Sequence, residues 1–390
     1  MKSKTYLLPI ATLCTIIGII AFPFQSIEGA KIGLNAFLQS VLPTLLPFFV
    51  GTSILIRCGT ARILARWLSP VMRPLFGIGG AGALAFVMSC ISGYPNGARV
   101  ASELYNQGLL SRAEARRTIV LSSTAGPSFV LAAVATQMLG HPEYGALLLC
   151  CHLLSAIAVC QIARIWIPED RQKRLEAREN PKKNPQREST AQIFVESVRD
   201  AAVSLWGVGS FIIFFCTIAA VLEQLRVFSV LGNFFAIPLK WMGFSPALGP
   251  AMSHGVMEMT SGCLAVCAVD APVAHKLPVL CAILSFGGAC VMAQIHLFAS
   301  QCGMRVRTLL LFKLFQGVIA LGLCTLALML FPASTSAFAP IGDVRFGTAV
   351  LSSMGWFALG VGFIFLLSAI MWLFFLLQKK RAPIANQIDR

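Results

Sequence analysis

The sequence predicts an all-α, polytopic membrane protein whose two halves form an inverted-topology repeat containing two re-entrant hairpins and interfacial helices. Three observations lead there. Of the 390 residues, 57% are hydrophobic and only 12% charged, a balance that a soluble domain of this size does not tolerate. Mean hydropathy is +0.77 and is concentrated in runs long enough for the roughly 20 apolar residues of a spanning helix. Finally, the pattern Pro74-Leu75, Gly79, Ala83-Leu84, Met88-Ser89 recurs without a gap 164 positions later as Pro238-Leu239, Gly243, Ala247-Leu248, Met252-Ser253.

Charge placement orders the elements. Lys2 and Lys4 put the amino terminus inside, and Tyr6 to Phe22 reads as a retained span because no cleavage site follows it. The weakly charged stretch around Glu28 and Lys31 is then an external loop. Val41 to Ile56 returns to an inside cluster of Arg57, Arg62, Arg66 and Arg73. Between those arginines, Ile63, Leu64, Trp67, Leu68, Val71 and Leu75 recur at helical spacing, so Thr60 to Phe76 should lie along the membrane surface.

Gly79 to Ile91 is too short to cross, is broken by Ser92-Gly93-Tyr94-Pro95-Asn96-Gly97, and leads to Arg112, Arg116 and Arg117, again inside. A segment that starts and ends on one side is a re-entrant hairpin, with its non-helical tip buried in protein or lining a polar cavity. Ser111 and Glu114 make a capping box for the next span, which breaks at Ser122-Ser123-Thr124-Ala125-Gly126-Pro127 and exits near His141-Pro142-Glu143. Gly145 to Ile167 comes back to a charged linker.

The order then repeats: Ser204 to Leu222 crosses outward, Arg226 to Met242 is interfacial, Phe244 to Val269 is the second hairpin, and Leu277 to Ala299 crosses inward to Arg305 and Arg307. Leu309 to Phe331 crosses out, and Trp356 to Leu377 ends at Lys379-Lys380-Arg381, inside. The expected organisation is an N-terminal span and external loop (1–40), repeat one (41–167), a cytoplasmic linker (168–202), repeat two (203–331), and a loop, last span and basic tail (332–390). Both termini are expected in the cytoplasm. Two inverted halves can exchange conformations, so a central site can open to either side in turn.

The net charge of +15 sits in short loops and encodes orientation, so no nucleic-acid partner is expected. Thirteen cysteines include no Cys-x-x-Cys pair and mostly lie in apolar runs, as buried small hydrophobes do. No nucleophile–base pair or phosphate loop stands at a convincing spacing, so enzymatic activity is not expected.

Cost singles out candidate site residues. A charged side chain at the centre of a spanning helix costs roughly 2.5 to 3.5 kcal/mol on insertion scales, which points to Glu258 in the second hairpin. Its carboxylate suits a proton, a cation or a polar solute, or else ties the hairpin to a neighbour. His254 precedes it by one helical turn, so the two are candidates for ion or proton coupling. As metal ligands they lack a third partner, and no metal or cofactor is expected.

Thr260 and Ser261 follow Glu258. In the first hairpin, Ser92 and Asn96 flank exposed backbone, while Arg99, with Glu103 beyond it, reads as a cytoplasmic anchor ahead of a site residue. The broken spans add Ser122, Ser123 and Thr124 in one half, and Ser285 with Gly287-Gly288 and then Gln294 in the other. Small hydroxyl residues also let helices pack closely, which is the other reading of these runs. His141 and His152 carry no spacing argument.

Ser92-Gly93-Tyr94-Pro95-Asn96-Gly97-Ala98-Arg99, Glu103-Leu104-Tyr105, the Ser-Thr-Ala-Gly-Pro run at 123–127, Glu258-Met259-Thr260-Ser261-Gly262 and Ser285-Phe286-Gly287-Gly288 together resemble the YlbJ-type sporulation integral membrane proteins of the nucleoside-recognition, or Gate, superfamily. Asn96 departs from the small apolar residue this family usually shows. The resemblance covers about residues 40 to 330 and implies a transport-type fold. It implies a small polar or anionic solute, a nucleoside or an aromatic carboxylate such as dipicolinate, moved in connection with spore formation. The expected partners are that solute and membrane lipid, with a homo-oligomer left open. The other class consistent with the resemblance is a membrane scaffold that keeps the fold without using the site.

Overall fold

The computed structural model describes residues 7–168 and 189–330, and every regular element among them is helical. The expected last span, its preceding loop, the basic tail, Lys2 and Lys4, and most of the charged linker lie outside the described residues.

Repeat one is laid out as α3 (Leu42–Arg57), α4 (Thr60–Phe76), α5 (Gly82–Ser92), α6 (Asn96–Asn106), α7 (Arg112–Leu121), a wide-turn segment Phe129–Met138 and α8 (Gly145–Trp166). Repeat two follows as α9 (Thr190–Gln224), α10 (Val227–Trp241), α11 (Leu248–Met257), α12 (Met259–Ala268), α13 (Val273–Phe286), α14 (Gly288–Ala299) and α15 (Val306–Leu330). Long spans, a lateral helix, a paired hairpin and a broken span thus recur in the same order. Two earlier helices, α1 (Leu7–Ala21) and α2 (Pro23–Ala36), precede them.

Among the described residues four stretches are long and apolar enough to cross a membrane: Pro142–Trp166, Thr190–Gln224, Val273–Cys302 and Val306–Leu330. The α1–α2 pair bends by 105° and the α3–α4 pair by 81°, so α4 leaves the direction of the span before it. That bend suits an interfacial helix. Ile63, Trp67 and Val71 stay exposed at successive turns while Ala61, Met72 and Phe76 are buried. In repeat two, Val230, Phe234, Ile237 and Trp241 of α10 are exposed in the same way.

Two stretches differ from expectation. Residues 23–36, expected as an external loop, are helical because their small residues form a packing stripe. A Cβ at Gly29 would lie 2.7 Å from the Cys216 carbonyl, and one at Gly33 would lie 2.8 Å from the Ile213 Cα. Residues 190–202, assigned to the linker on their polarity, are the first turns of α9. A capping box of Ser189 and Gln192 starts that helix, and an Arg57–Asp200 ion pair of 2.7 Å holds it to α3.

The inversion can be read from contacts with one span. At the Cys302 end of Val273–Cys302, the base of hairpin α5–α6 is attached: Ser102 Oγ donates to the Phe298 carbonyl at 3.1 Å, and Asn106 Nδ2 donates to Gln301 Oε1 at 2.9 Å. At the Val273 end, the base of hairpin α11–α12 is attached: Lys276 Nζ donates to the Cys267 carbonyl at 2.8 Å. The hairpins therefore enter from opposite ends of the same span. Clusters expected inside also meet. Arg112 and Arg116 each donate Nε to the Cys302 carbonyl at 3.0 Å, just before Arg305, while Arg164 donates to the Pro74 carbonyl at 2.6 Å.

Candidate functional site

Both hairpin tips end on the break between α13 and α14. Gly287 and Gly288 have φ of +84° and +76°, a conformation that L side chains rarely adopt. A Cβ on Gly287 would lie 3.7 Å from Tyr94 Cζ, at the tip of the first hairpin. One on Gly288 would lie 2.9 Å from the Gly255 carbonyl and 3.2 Å from Glu258 N, at the tip of the second. The first tip also seats on the other break, since Gly93 faces the Gly126 amide and Gly97 faces the Ser122 carbonyl. Tyr94 and Glu258, at matching positions of the two repeats, thus flank one point.

This junction is polar. Lys313 of α15, only 2% exposed, donates to Tyr94 Oη at 2.9 Å, the Ser123 carbonyl at 3.0 Å and Gln316 Oε1 at 2.7 Å. Tyr94 Oη donates in turn to the Leu284 carbonyl at 3.0 Å. A carbonyl from each broken span is thereby drawn to one hydroxyl and one ammonium. His152 of α8, fully buried, makes the second link. The Ala125 amide donates to its Nε2 at 2.8 Å, so the neutral ring carries its proton on Nδ1, which lies 2.8 Å from Ser285 Oγ. His152 and Gln316 stand 164 positions apart, the spacing of the repeat.

The structure sorts the candidate residues. Ser122, Ser123, Thr124 and Ser285 are buried at the junction, and the first two turn their hydroxyls back onto their own helix. Ser122 and Ser123 hydroxyls donate back to Thr118 and Ile119 carbonyls, both at 2.6 Å, and Thr124 Oγ1 lies 2.7 Å from Ser89 Oγ. Those local bonds leave the Ser123 carbonyl and Ala125 amide facing the neighbouring helices. Asn96 is buried and its Nδ2 donates to Ser92 Oγ at 2.8 Å, while its Oδ1 has no partner. Gln294 donates to Cys290 Sγ at 3.3 Å within α14.

Glu258 and His254 are not brought together. Glu258 caps α12, accepting from Thr260 N at 2.9 Å and Ser261 N at 2.7 Å, and Thr260 itself is exposed. The His254 ring stacks on Phe228 at 4.1 Å between centroids, with Nε2 3.3 Å from Glu223 Oε2. A carboxylate at a helix N-terminus is stabilised by the free amides and the helix dipole. Glu258→Ala should therefore lower stability by about 1 kcal/mol, with Glu258→Asp recovering much of it, as read from thermal unfolding of the purified protein.

Tyr94, His152 and Lys313 are junction residues that spacing does not reveal. Lys313 had a signal, being a lone cation inside the run Leu309 to Phe331. Its nearness to Arg305 and Arg307 disguises it as a side chain snorkelling to the inner surface. Arg99 is an anchor in a stricter sense than expected. It is buried, donates to the Phe49 carbonyl at 3.0 Å and Thr52 Oγ1 at 3.2 Å, and so fastens the first hairpin to α3.

Residues 38–142 match the Gate family, described as nucleoside recognition. The chain is 28% identical over 315 residues to the sporulation integral membrane protein YlbJ of Bacillus subtilis (strain 168), with 77% of each chain covered. No solved structure matches. The likeness carried by the motifs thus extends along most of the chain, and this is a membrane protein similar to the YlbJ-type sporulation proteins.

Proposed function

We propose that this chain is a multi-pass, transporter-like protein of the cell membrane, with both termini cytoplasmic, that moves a small polar or anionic solute during spore formation. The single observation that carries the reading is the junction itself. Two hairpins reach it from opposite ends of one span, and both broken spans open onto it. In inverted repeats the solute site lies at such discontinuities, because unwound backbone supplies donors and acceptors at membrane depth.

Charge favours an anion over a neutral nucleoside. Among the described residues no carboxylate pairs with Lys313, so an aromatic dicarboxylate such as dipicolinate would bring its counter-charge to the junction. A scaffold has no use for a buried ammonium there, and apolar packing would be more stable. Sporulation enters through the Bacillus relative's description.

The test is uptake and binding by the purified protein in liposomes, with labelled dipicolinate and a labelled nucleoside in parallel. Dipicolinate uptake is expected, and Tyr94→Phe should reduce it at least several-fold by removing the hydroxyl that joins Lys313 to the Leu284 carbonyl. Absence of uptake and binding for both solutes, with Tyr94→Phe indistinguishable from wild type, would sink the reading.

A further inference from the structure

The ammonium at the junction occupies a place of a recognisable kind. Unwound carbonyls and the C-terminal ends of half-helices gather cations in transporters of inverted-repeat design, because the dipole leaves partial negative charge there. Ser123 O lies just past the end of α7, and Leu284 O lies in the last turn of α13. Tyr94 Oη relays the second of these to Lys313, since its own proton is given to Leu284.

Lysine has three N–H donors and no acceptor, and Nζ here faces three oxygens that accept: Tyr94 Oη, Ser123 O and Gln316 Oε1. A neutral amine would be matched here only if the Tyr94 hydroxyl or the Gln316 amide turned a hydrogen toward it. The set is complete for a protonated amine and is built from both repeats and the first hairpin tip. Leu149, at the position matching Lys313 in repeat one, is apolar, so the halves supply one such cation between them.

We propose that the Lys313 ammonium is a tethered cation filling the ion position of the junction, so that solute movement requires no sodium ion. This rests on the transport reading only in its last clause. A second cation against the same oxygens would be repelled by Nζ, which already bonds to each of them. The fixed charge then does for an anionic solute what a co-transported ion does elsewhere, without release on either side.

The experiment follows thermal unfolding of the purified full-length protein in sodium, potassium or choline chloride at equal ionic strength. The wild-type midpoint should be the same in all three; a rise specific to sodium overturns the proposal. Lys313→Ala should unfold at a lower temperature and recover part of the loss in propylammonium chloride, which replaces the deleted chain from Cγ to Nζ, but not in choline chloride. Lys313→Ala insensitive to propylammonium, or Lys313→Met as stable as wild type, shows that packing and not charge fills the position. Should neither variant fold, the wild-type salt series still decides. In liposomes, uptake should be equal in sodium and choline media, and a sodium requirement again overturns the proposal. If wild type takes up no solute in any medium the transport reading fails, while the unfolding series continues to report on the ion position.

Discussion

Gly288→Ala is expected to destabilise the protein by about 3 kcal/mol and to abolish whatever movement the junction supports. Left-handed backbone alone costs a residue with a Cβ roughly 1 to 2 kcal/mol. The rest comes from contact. The new methyl would sit 2.9 Å from the Gly255 carbonyl, 3.1 Å from the Met257 carbonyl and 3.2 Å from Glu258 N, and all three are backbone that no rotamer change can move aside. Relief requires the second hairpin to withdraw from the break. The measurement is the unfolding midpoint together with protease sensitivity of the α11–α12 hairpin in liposomes. Gly322→Ala in α15 is the control, because nothing lies within 4 Å of its added Cβ and alanine is the better helix former. It should be neutral or slightly stabilising. If Gly288→Ala behaved like Gly322→Ala, the hairpin tip would not rest on the break.

How much of this was legible in the sequence depends on what kind of signal each element carries. The hairpins and broken spans announce themselves because glycine and proline interrupt apolar runs, and arginine clusters fix which side each run returns to. Hence the repeat, the interfacial helices and the opposed hairpins could be placed without coordinates. Helix α2 could not, since its packing against α9 depends on Gly29 and Gly33 meeting a partner almost two hundred positions away. The site was half legible for a related reason. Ser122, Ser123, Thr124 and Ser285 stand out as polar residues where a span breaks, which locates the junction. Which atoms face it was hidden, because a hydroxyl within reach of a carbonyl four residues back bonds to it and hands the outward role to the backbone. Glu258 drew notice by its charge, yet a carboxylate just before a helix start is already satisfied by that helix's own amides. Lys313 and His152 act through partners on other helices, and no local pattern records those.

His152→Leu should be the most damaging substitution at the junction that leaves the backbone unstrained. It removes the acceptor of the Ala125 amide and the partner of Ser285 Oγ, groups whose residues are 1% and 0% exposed. A buried donor left without a partner costs roughly 1 to 3 kcal/mol, which the Ala125 amide loses in full while Ser285 Oγ keeps only Ser155 Oγ at 3.4 Å, and leucine regains little of it by packing. His152→Gln separates chemistry from shape. An amide can accept from Ala125 through Oε1 and donate to Ser285 through Nε2, and glutamine is what repeat two already places at the matching position, Gln316. The expected order of unfolding midpoints is therefore wild type, then His152→Gln, then His152→Leu well below. Uptake should follow the same order if the bridge from Ala125 to Ser285 keeps the two broken spans in step. Equal midpoints for the leucine and glutamine variants would mean that the ring serves only to fill space, and that the breaks are joined through Tyr94 and Lys313 alone.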